Sequence, residues 1–212
     1  MYNLPHHKEQ DSEKVLDFVR QHPFAMLVGA FSNGKPVATQ IPVFIEERAG
    51  KLYLSGHMMR KMDHHLAFEE NPQVLCVFSG AHSYVSATWY ENPQQASTWN
   101  YQSVHVRGRM SFLDGAALID VLQKTSLHFE GGNKSSSTVY ENLPPEYTSR
   151  LLKAIVAFEV EVEEIQHVFK LSQDRDQHSY RNIVGELKKG DADAQKIADT
   201  MEAREEQVYP RH

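Results

Sequence analysis

The sequence has a single cysteine, no apolar run as long as a membrane span and no surplus of basic residues, and each shortage excludes a class of protein. Cys76 lies inside the run Val74-Leu75-Cys76-Val77-Phe78. Alone it can form no disulfide or cysteine-based zinc site within the chain, and it reads as a small buried hydrophobe. The first ten residues are polar, so neither a secretion signal nor a membrane anchor is expected and the expected location is cytoplasmic. A formal charge of -6 and a pI near 6.0 leave no electrostatic footprint for a polyanion, so direct DNA binding is not expected. The chain also lacks a G-x-G-x-x-G loop, a Walker-type loop and a G-x-S-x-G elbow. Twelve histidines invite a metal reading. His6-His7 and His64-His65 are adjacent pairs whose side chains diverge, however, and no H-x-x-x-H pair with a carboxylate partner exists, so no metal site is expected.

What the chain does have is a dense series of short strand patterns. At 212 residues it can form one large domain or a domain with an appendage. Asp11-Ser12 can cap a first helix with Val15, Leu16, Phe18 and Val19 on its apolar face, ended by Pro23. Asn33-Gly34 between Phe24–Phe31 and Pro36–Glu46 signals a hairpin. Further strands are expected at 51–55, 73–80, 82–88 and 103–112, with a short helix over 64–70. Asp114 is expected to cap a helix to about Phe129, followed by a flexible loop or short linker at 131–137. Pro144-Pro145 then opens a helix to about Lys153. Residues 155–165 alternate, with Phe158, Val160 and Val162 on one face and Glu159, Glu161 and Glu163 on the other. Residues 191–207 carry a narrow apolar stripe (Ala194, Ile197, Ala198, Met201), which suggests a surface helix or a partner-contacting tail. Many strands joined by tight turns point to a mainly β, α+β fold built on an antiparallel barrel with peripheral helices. The expected division is a barrel domain over 1–187 and a charged helical extension over 188–212.

Four segments carry candidate chemistry. In Leu54-Ser55-Gly56-His57-Met58-Met59-Arg60-Lys61, a strand is expected to reach a glycine turn and put Arg60 and Lys61 into the first turn of a helix. Cations are unfavourable at that end unless an anion lies between them; the plain alternative is a solvated pair at a loop end. The stretch 81–90 puts His82, Tyr84, Ser86 and Thr88 on one face, as a pocket wall or a solvated sheet face. Thr98-Trp99-Asn100-Tyr101 leads into a strand grouping His105, Arg107 and Arg109, where Gly108 permits close approach of another chain or a ligand. Finally, Phe169-Lys170-Leu171-Ser172-Gln173-Asp174-Arg175 is a strand end breaking into hydrogen-bonding groups. Cations for a phosphate, hydroxyls and amides for a polyol, and aromatic surface for a ring together match flavin mononucleotide, FMN.

These residues resemble a known family. Met1-Tyr2, Pro23-Phe24-Ala25, Gly56-His57 with Arg60, His82-Ser83-Tyr84-Val85-Ser86, Trp89-Tyr90, Thr98-Trp99-Asn100-Tyr101 with His105, and Phe169-Lys170-Leu171-Ser172-Gln173 are similar to the PaiB-type FMN-binding negative transcriptional regulators, to about Leu187. The resemblance implies an antiparallel split β-barrel that dimerises with FMN at the subunit interface. It implies cofactor contacts from His57, Arg60, Lys61, Ser86, Trp99, Asn100, Tyr101, His105, Lys170, Ser172 and Gln173. Where the family commonly has Arg-Ala-Asn-Pro this chain has Arg60-Lys61-Met62-Asp63, and Lys61 offers a compensating contact. Where the family ends its late motif in Ser-Gln-Asn, this chain has Ser172-Gln173-Asp174, an added acid with Arg175 beside it. Three functions are carried forward: a transcriptional regulator or flavin-dependent sensor, an FMN-dependent oxidoreductase using NAD(P)H with His105 and Tyr101 as donors, and a haem-binding split barrel.

Overall fold

The computed structural model describes residues 1–2 and 4–210. Among the described residues six strands and six α-helices follow one another: α1 (Ser12–Gln21), β1 (Phe24–Ala30), β2 (Pro36–Arg48), β3 (Lys51–Met59), α2 (Asp63–Glu70), β4 (Gln73–Val85), β5 (Thr98–Leu113), α3 (Ala116–Phe129), α4 (Pro145–Ala154), β6 (Ile155–Lys170), α5 (Gln177–Leu187) and α6 (Ala192–Val208). The strand order is β1-β2-β3-β6-β5-β4, and β1 pairs with β4 so that the sheet closes on itself. The pairings of β2 with β1 and β3, of β1 with β4 and of β3 with β6 are all antiparallel. Among the described residues no helix is long and apolar enough to cross a membrane.

The hairpin forms where Asn33-Gly34 stands: Gly34 has φ +85° and its N–H donates to the Phe31 carbonyl at 2.8 Å, a conformation glycine takes without steric cost. The alternation of β6 holds in part: Phe158 and Val160 are buried and Glu161 and Glu163 exposed, but Val162 is only partly buried and Ile155–Phe158 are buried without alternating. Its outer acids are matched by bases at the β2–β3 turn, Glu159 by Arg48 at the end of β2 and Glu161 by Lys51 at the start of β3. Cys76 is fully buried, and burial pushes its thiol up to about 12.

Several elements differ from the sequence expectation. The strands expected at 73–80 and 82–88 are one, β4. Its buried positions run Val74, Cys76, Phe78 and then resume at Val85, so the break at Gly80-Ala81 is a change of face within a continuing strand. Gly56 is no turn; it lies within β3, where an added Cβ would sit 2.7 Å from Phe158 and 2.8 Å from the Pro42 carbonyl oxygen. Asp114 does not cap α3, because the cap position falls on Gly115 at φ +64°. β5 starts at Thr98 and β6 runs to Lys170, and α5 has no counterpart in the sequence expectation.

The chain divides into two compact units: Met1–Phe18 with Ser79–Val104 and Gln166–His212, and Val19–Phe78 with His105–Ile165. In the second, α3 and α4 seal β6 through Leu118, Leu122, Ile155 and Ala157. In the first, α5 and α6 pack together around Tyr180, Ile183, Leu187, Ile197, Ala198 and Met201, all nearly inaccessible. The narrow stripe of 191–207 is therefore a buried seam. Gly108 does permit close approach, but the approaching group is strand β6 of the same chain rather than another chain or a ligand: a Cβ there would run into the Glu161 carbonyl oxygen and lie 2.7 Å from Val160 Cγ1. Gly108→Ala is expected to destabilise the fold by about 1–3 kcal/mol, checked by denaturant unfolding.

Candidate functional site

The Arg60–Lys61 pair lies outside the helix. β3 ends at Met59, Lys61 takes a left-handed backbone at φ +62°, Met62 is the extended N-cap of α2, and Asp63 supplies the acid of its first turn. The dipole conflict expected from sequence therefore does not arise, and the two cations occupy the turn that joins strand to helix. Arg60 is tied down there. Its backbone N–H donates to the Ala154 carbonyl at 2.9 Å, its Nε donates to the Ile155 carbonyl at 2.9 Å, and an Nη pairs with Asp114. Lys61 is exposed and has no ion pair among the described residues. His57 lies further back on β3, paired in register with Ala157 and half-buried, and burial lowers its pKa. His105 on β5 is also half-buried, and its pKa is lowered by burial, reinforced by Arg107.

In the other unit, two of the expected residues, Asn100 and Ser172, bond each other, and Lys170 and Gln173 stand near Ser172 in the sequence. Asn100 is fully buried; its Oδ1 accepts from Ser172 Oγ at 3.0 Å and its Nδ2 faces Met201 Sδ at 3.3 Å. Ser172 holds φ +58°. The Gln173 amide closes a ring on its own strand end, Nε2 donating to the Phe169 carbonyl at 2.6 Å and Oε1 accepting from the Leu171 N–H at 2.7 Å. Lys170 bonds Thr98 Oγ1, and burial lowers its pKa. Asn100, Ser172 and Gln173 thus use their polar groups to fix the end of β6 against β5 and α6. Lys170 is only partly buried and keeps donors beyond its bond to Thr98.

Ser86 caps the turn 87–89, accepting from the Thr88 N–H at 3.3 Å. Trp99 is exposed, its ring 5.8 Å from His82 and 6.1 Å from Tyr84. Tyr101 is half-buried, and burial raises its phenol pKa. Sequence reasoning does not find Asp114 as the partner of Arg60, because 54 residues of separation leave no local signal for it. It also misses α5, for which a signal exists: the Asp176 side chain accepts from the Ser179 N–H at 2.8 Å, and Tyr180, Ile183 and Leu187 follow at helical spacing.

His7, His57, His65, His105 and His167 all have pKa values lowered chiefly by burial. His167 Nε2, for example, accepts the Glu9 N–H at 2.9 Å and must be unprotonated to do so. Because the unfolded chain binds these protons more readily, this stability is fully present above pH ~6.5 and is lost as pH falls through the lowered folded values. Lowering the pH from 7.5 to 5.5 is expected to lower the melting temperature by about 5 °C, measured by calorimetry.

A phosphate-bearing heterocycle needs a charged fork and a mobile cation at one end. The Arg60 guanidinium, already meeting an oxyanion in Asp114, and the exposed Lys61 ammonium are a donor set that fits. The fold is that of the split barrels. A conserved hypothetical protein from Mycobacterium tuberculosis superposes with a TM-score of 0.57 at 12% identity, covering 80% of this chain and 91% of that one. The flavocytochrome Anf3 from Azotobacter vinelandii superposes with a TM-score of 0.53 at 19% identity, covering 82% and 74%.

Residues 1–164 match the family described as "Putative FMN-binding domain". The protease synthase and sporulation protein PAI 2 of Bacillus subtilis (strain 168) is 32% identical over 203 residues, 95% of this chain and 97% of that protein. The chain belongs to this FMN-binding, PaiB-type family, and FMN is its cofactor.

Proposed function

We propose that the protein is a flavin-dependent sensor of the PaiB type, holding the FMN phosphate with Arg60 and Lys61 and acting on transcription through a partner or metabolite rather than by gripping DNA. The observation that carries this reading is the strand-to-helix turn itself, one anchored guanidinium beside one exposed ammonium. FMN, when bound, supplies one- and two-electron redox chemistry. The residues of the second unit would bind and orient it, Arg60 and Lys61 at the phosphate and His57 and His105 from β3 and β5 beside them. Asn100, Ser172 and Gln173 would hold the end of β6 in place.

The working unit in this reading is a homodimer with two equivalent sites. The outward face of β1 supports self-association, since Phe24 and Met26 are 61% and 42% exposed. The acidic balance of the chain supports an indirect route to transcription, because a DNA-binding dimer needs clustered cations.

A second reading, an oxidoreductase, draws on His105, a half-buried imidazole held neutral at physiological pH. The two readings separate on one experiment. The purified protein is loaded with FMN, its absorbance spectrum is recorded, and NAD(P)H is added with and without oxygen. Stoichiometric flavin binding without sustained turnover supports the sensor; sustained turnover supports the enzyme. Light scattering that gives a monomer with FMN bound would refute the dimer, and tight, steeply salt-dependent promoter binding would refute the indirect route.

A further inference from the structure

We propose that Asp114 competes with phosphate for the guanidinium of Arg60 and so sets both the affinity of the cofactor site and its preference for phosphorylated flavin. This inference rests on the assignment of Arg60 and Lys61 as the phosphate-holding pair.

Arg60 has two kinds of partner. The carbonyls of Ala154 and Ile155, at the junction of α4 and β6, fix the backbone and the Nε of the residue, so the base of the side chain cannot follow a departing ligand. The outer edge of the guanidinium meets the carboxylate of Asp114. Asp114 differs from a structural ion-pair partner in three respects. Its side chain is 68% exposed, against 30% for Arg60. Its carboxylate has no other polar partner among the described residues. It does not close α3, whose N-cap is the next residue, Gly115, and whose first turn contains no acid. Gly115 stands at φ +64° with nothing within 4 Å of where a Cβ would be, so the link carrying Asp114 is surrounded by open space.

Carboxylate and phosphate address the same N–H fork, and a phosphate monoester carries close to two negative charges at neutral pH. An exposed acid paired with a partly exposed base is weakly held and screened by salt. Phosphate, assisted by Lys61, therefore displaces or shares with Asp114, while the acid's field lowers the attraction the site offers any anion. An uncharged isoalloxazine and ribityl chain lacking phosphate does not feel this competition.

The test compares the full chain with Asp114→Asn, which keeps the side-chain shape and removes the charge. FMN and riboflavin are each titrated by flavin fluorescence at low and high salt. Asp114→Asn is expected to tighten FMN binding about three- to tenfold at low salt, with the gain shrinking as salt rises and with riboflavin binding unchanged. Unchanged or weaker FMN binding overturns the inference, as does an equal shift for both flavins. Should Asp114→Asn fail to fold, as judged by its melting curve, Asp114→Ser takes its place. If neither protein takes up FMN, the cofactor assignment of Arg60 and Lys61 fails on its own, and inorganic phosphate decides the remaining point. Stronger thermal stabilisation of the Asp114 variant than of the parent supports competition for Arg60, and equal stabilisation overturns it.

Discussion

Replacing Arg60 and Lys61 together by alanine is expected to weaken FMN binding about a hundred- to ten-thousandfold, each losing its own bond to phosphate, while leaving riboflavin binding unchanged. A charge-assisted hydrogen bond to phosphate contributes roughly 1.5–3 kcal/mol, and each 1.4 kcal/mol is a factor of about ten in affinity. Arg60 supplies the geometrically fixed part, being anchored on the Ile155 carbonyl. Lys61 supplies a mobile charge at the tip of the turn. The riboflavin control is decisive because it contains the ring and the polyol but no phosphate. Equal losses for both flavins would mean that the double substitution had disturbed the turn itself, and unchanged FMN binding would place the phosphate elsewhere.

Arg204→Leu is expected to lower stability by about 3–5 kcal/mol, the cost of leaving a buried charge without its partner, and to lower the melting temperature by about 10 °C. The Glu9 side chain is 1% exposed and that of Arg204 14%. Burial alone would raise the Glu9 pKa; the Asp11 N–H, at 3.1 Å, and the Arg204 guanidinium outweigh it and hold it below the ordinary carboxylate value. In the parent this contribution is present above that ordinary value and lost as pH falls through the lowered one. In Arg204→Leu the sign reverses: Glu9 is left with burial as its main influence, and the deficit relative to the parent narrows as the medium is acidified. Glu9→Leu combined with Arg204→Leu is expected to recover much of the loss, since two apolar side chains leave no charge buried. Urea unfolding at pH 7.5 and 5 checks the loss, its narrowing on acidification and the recovery, and a thermal melt checks the melting temperature.

The strands are legible because their signals are local. Asn33-Gly34 marks a hairpin through its immediate neighbours, and the Phe158/Glu159/Val160/Glu161 alternation declares the inner and outer faces of β6 without reference to any other segment. The helix over 64–70 is legible as well, but not the location of the cations before it. Whether Lys61 belongs to the helix depends on one backbone angle, and a lysine at positive φ carries no mark in the sequence. The opposite error arises at Gly56, where glycine suggests freedom of conformation and in fact answers the nearness of Phe158 and Pro42. In the candidate site, residue types are readable and commitments are not. Asn100, Ser172 and Gln173 look like ligands because each is polar and stands in a segment rich in polar and aromatic groups. Their hydrogen bonds go to Met201, to one another and to the backbone of the β6 end, partners as much as 101 residues away.

The division of the chain into interleaved pieces bears on synthesis. One unit is complete once residue 165 has been made, whereas the other is assembled from the first eighteen residues, a middle stretch and everything after residue 165. During synthesis Asn100 waits for Ser172 and Met201, and Glu9 waits for Arg204, the longest delay among these contacts. A nascent chain therefore carries unfinished polar groups and an open seam until α6 emerges, and this long sequence separation is expected to slow closure of that unit relative to the other. The α6 segment, which by composition looks like an appendage, governs when the protein becomes native.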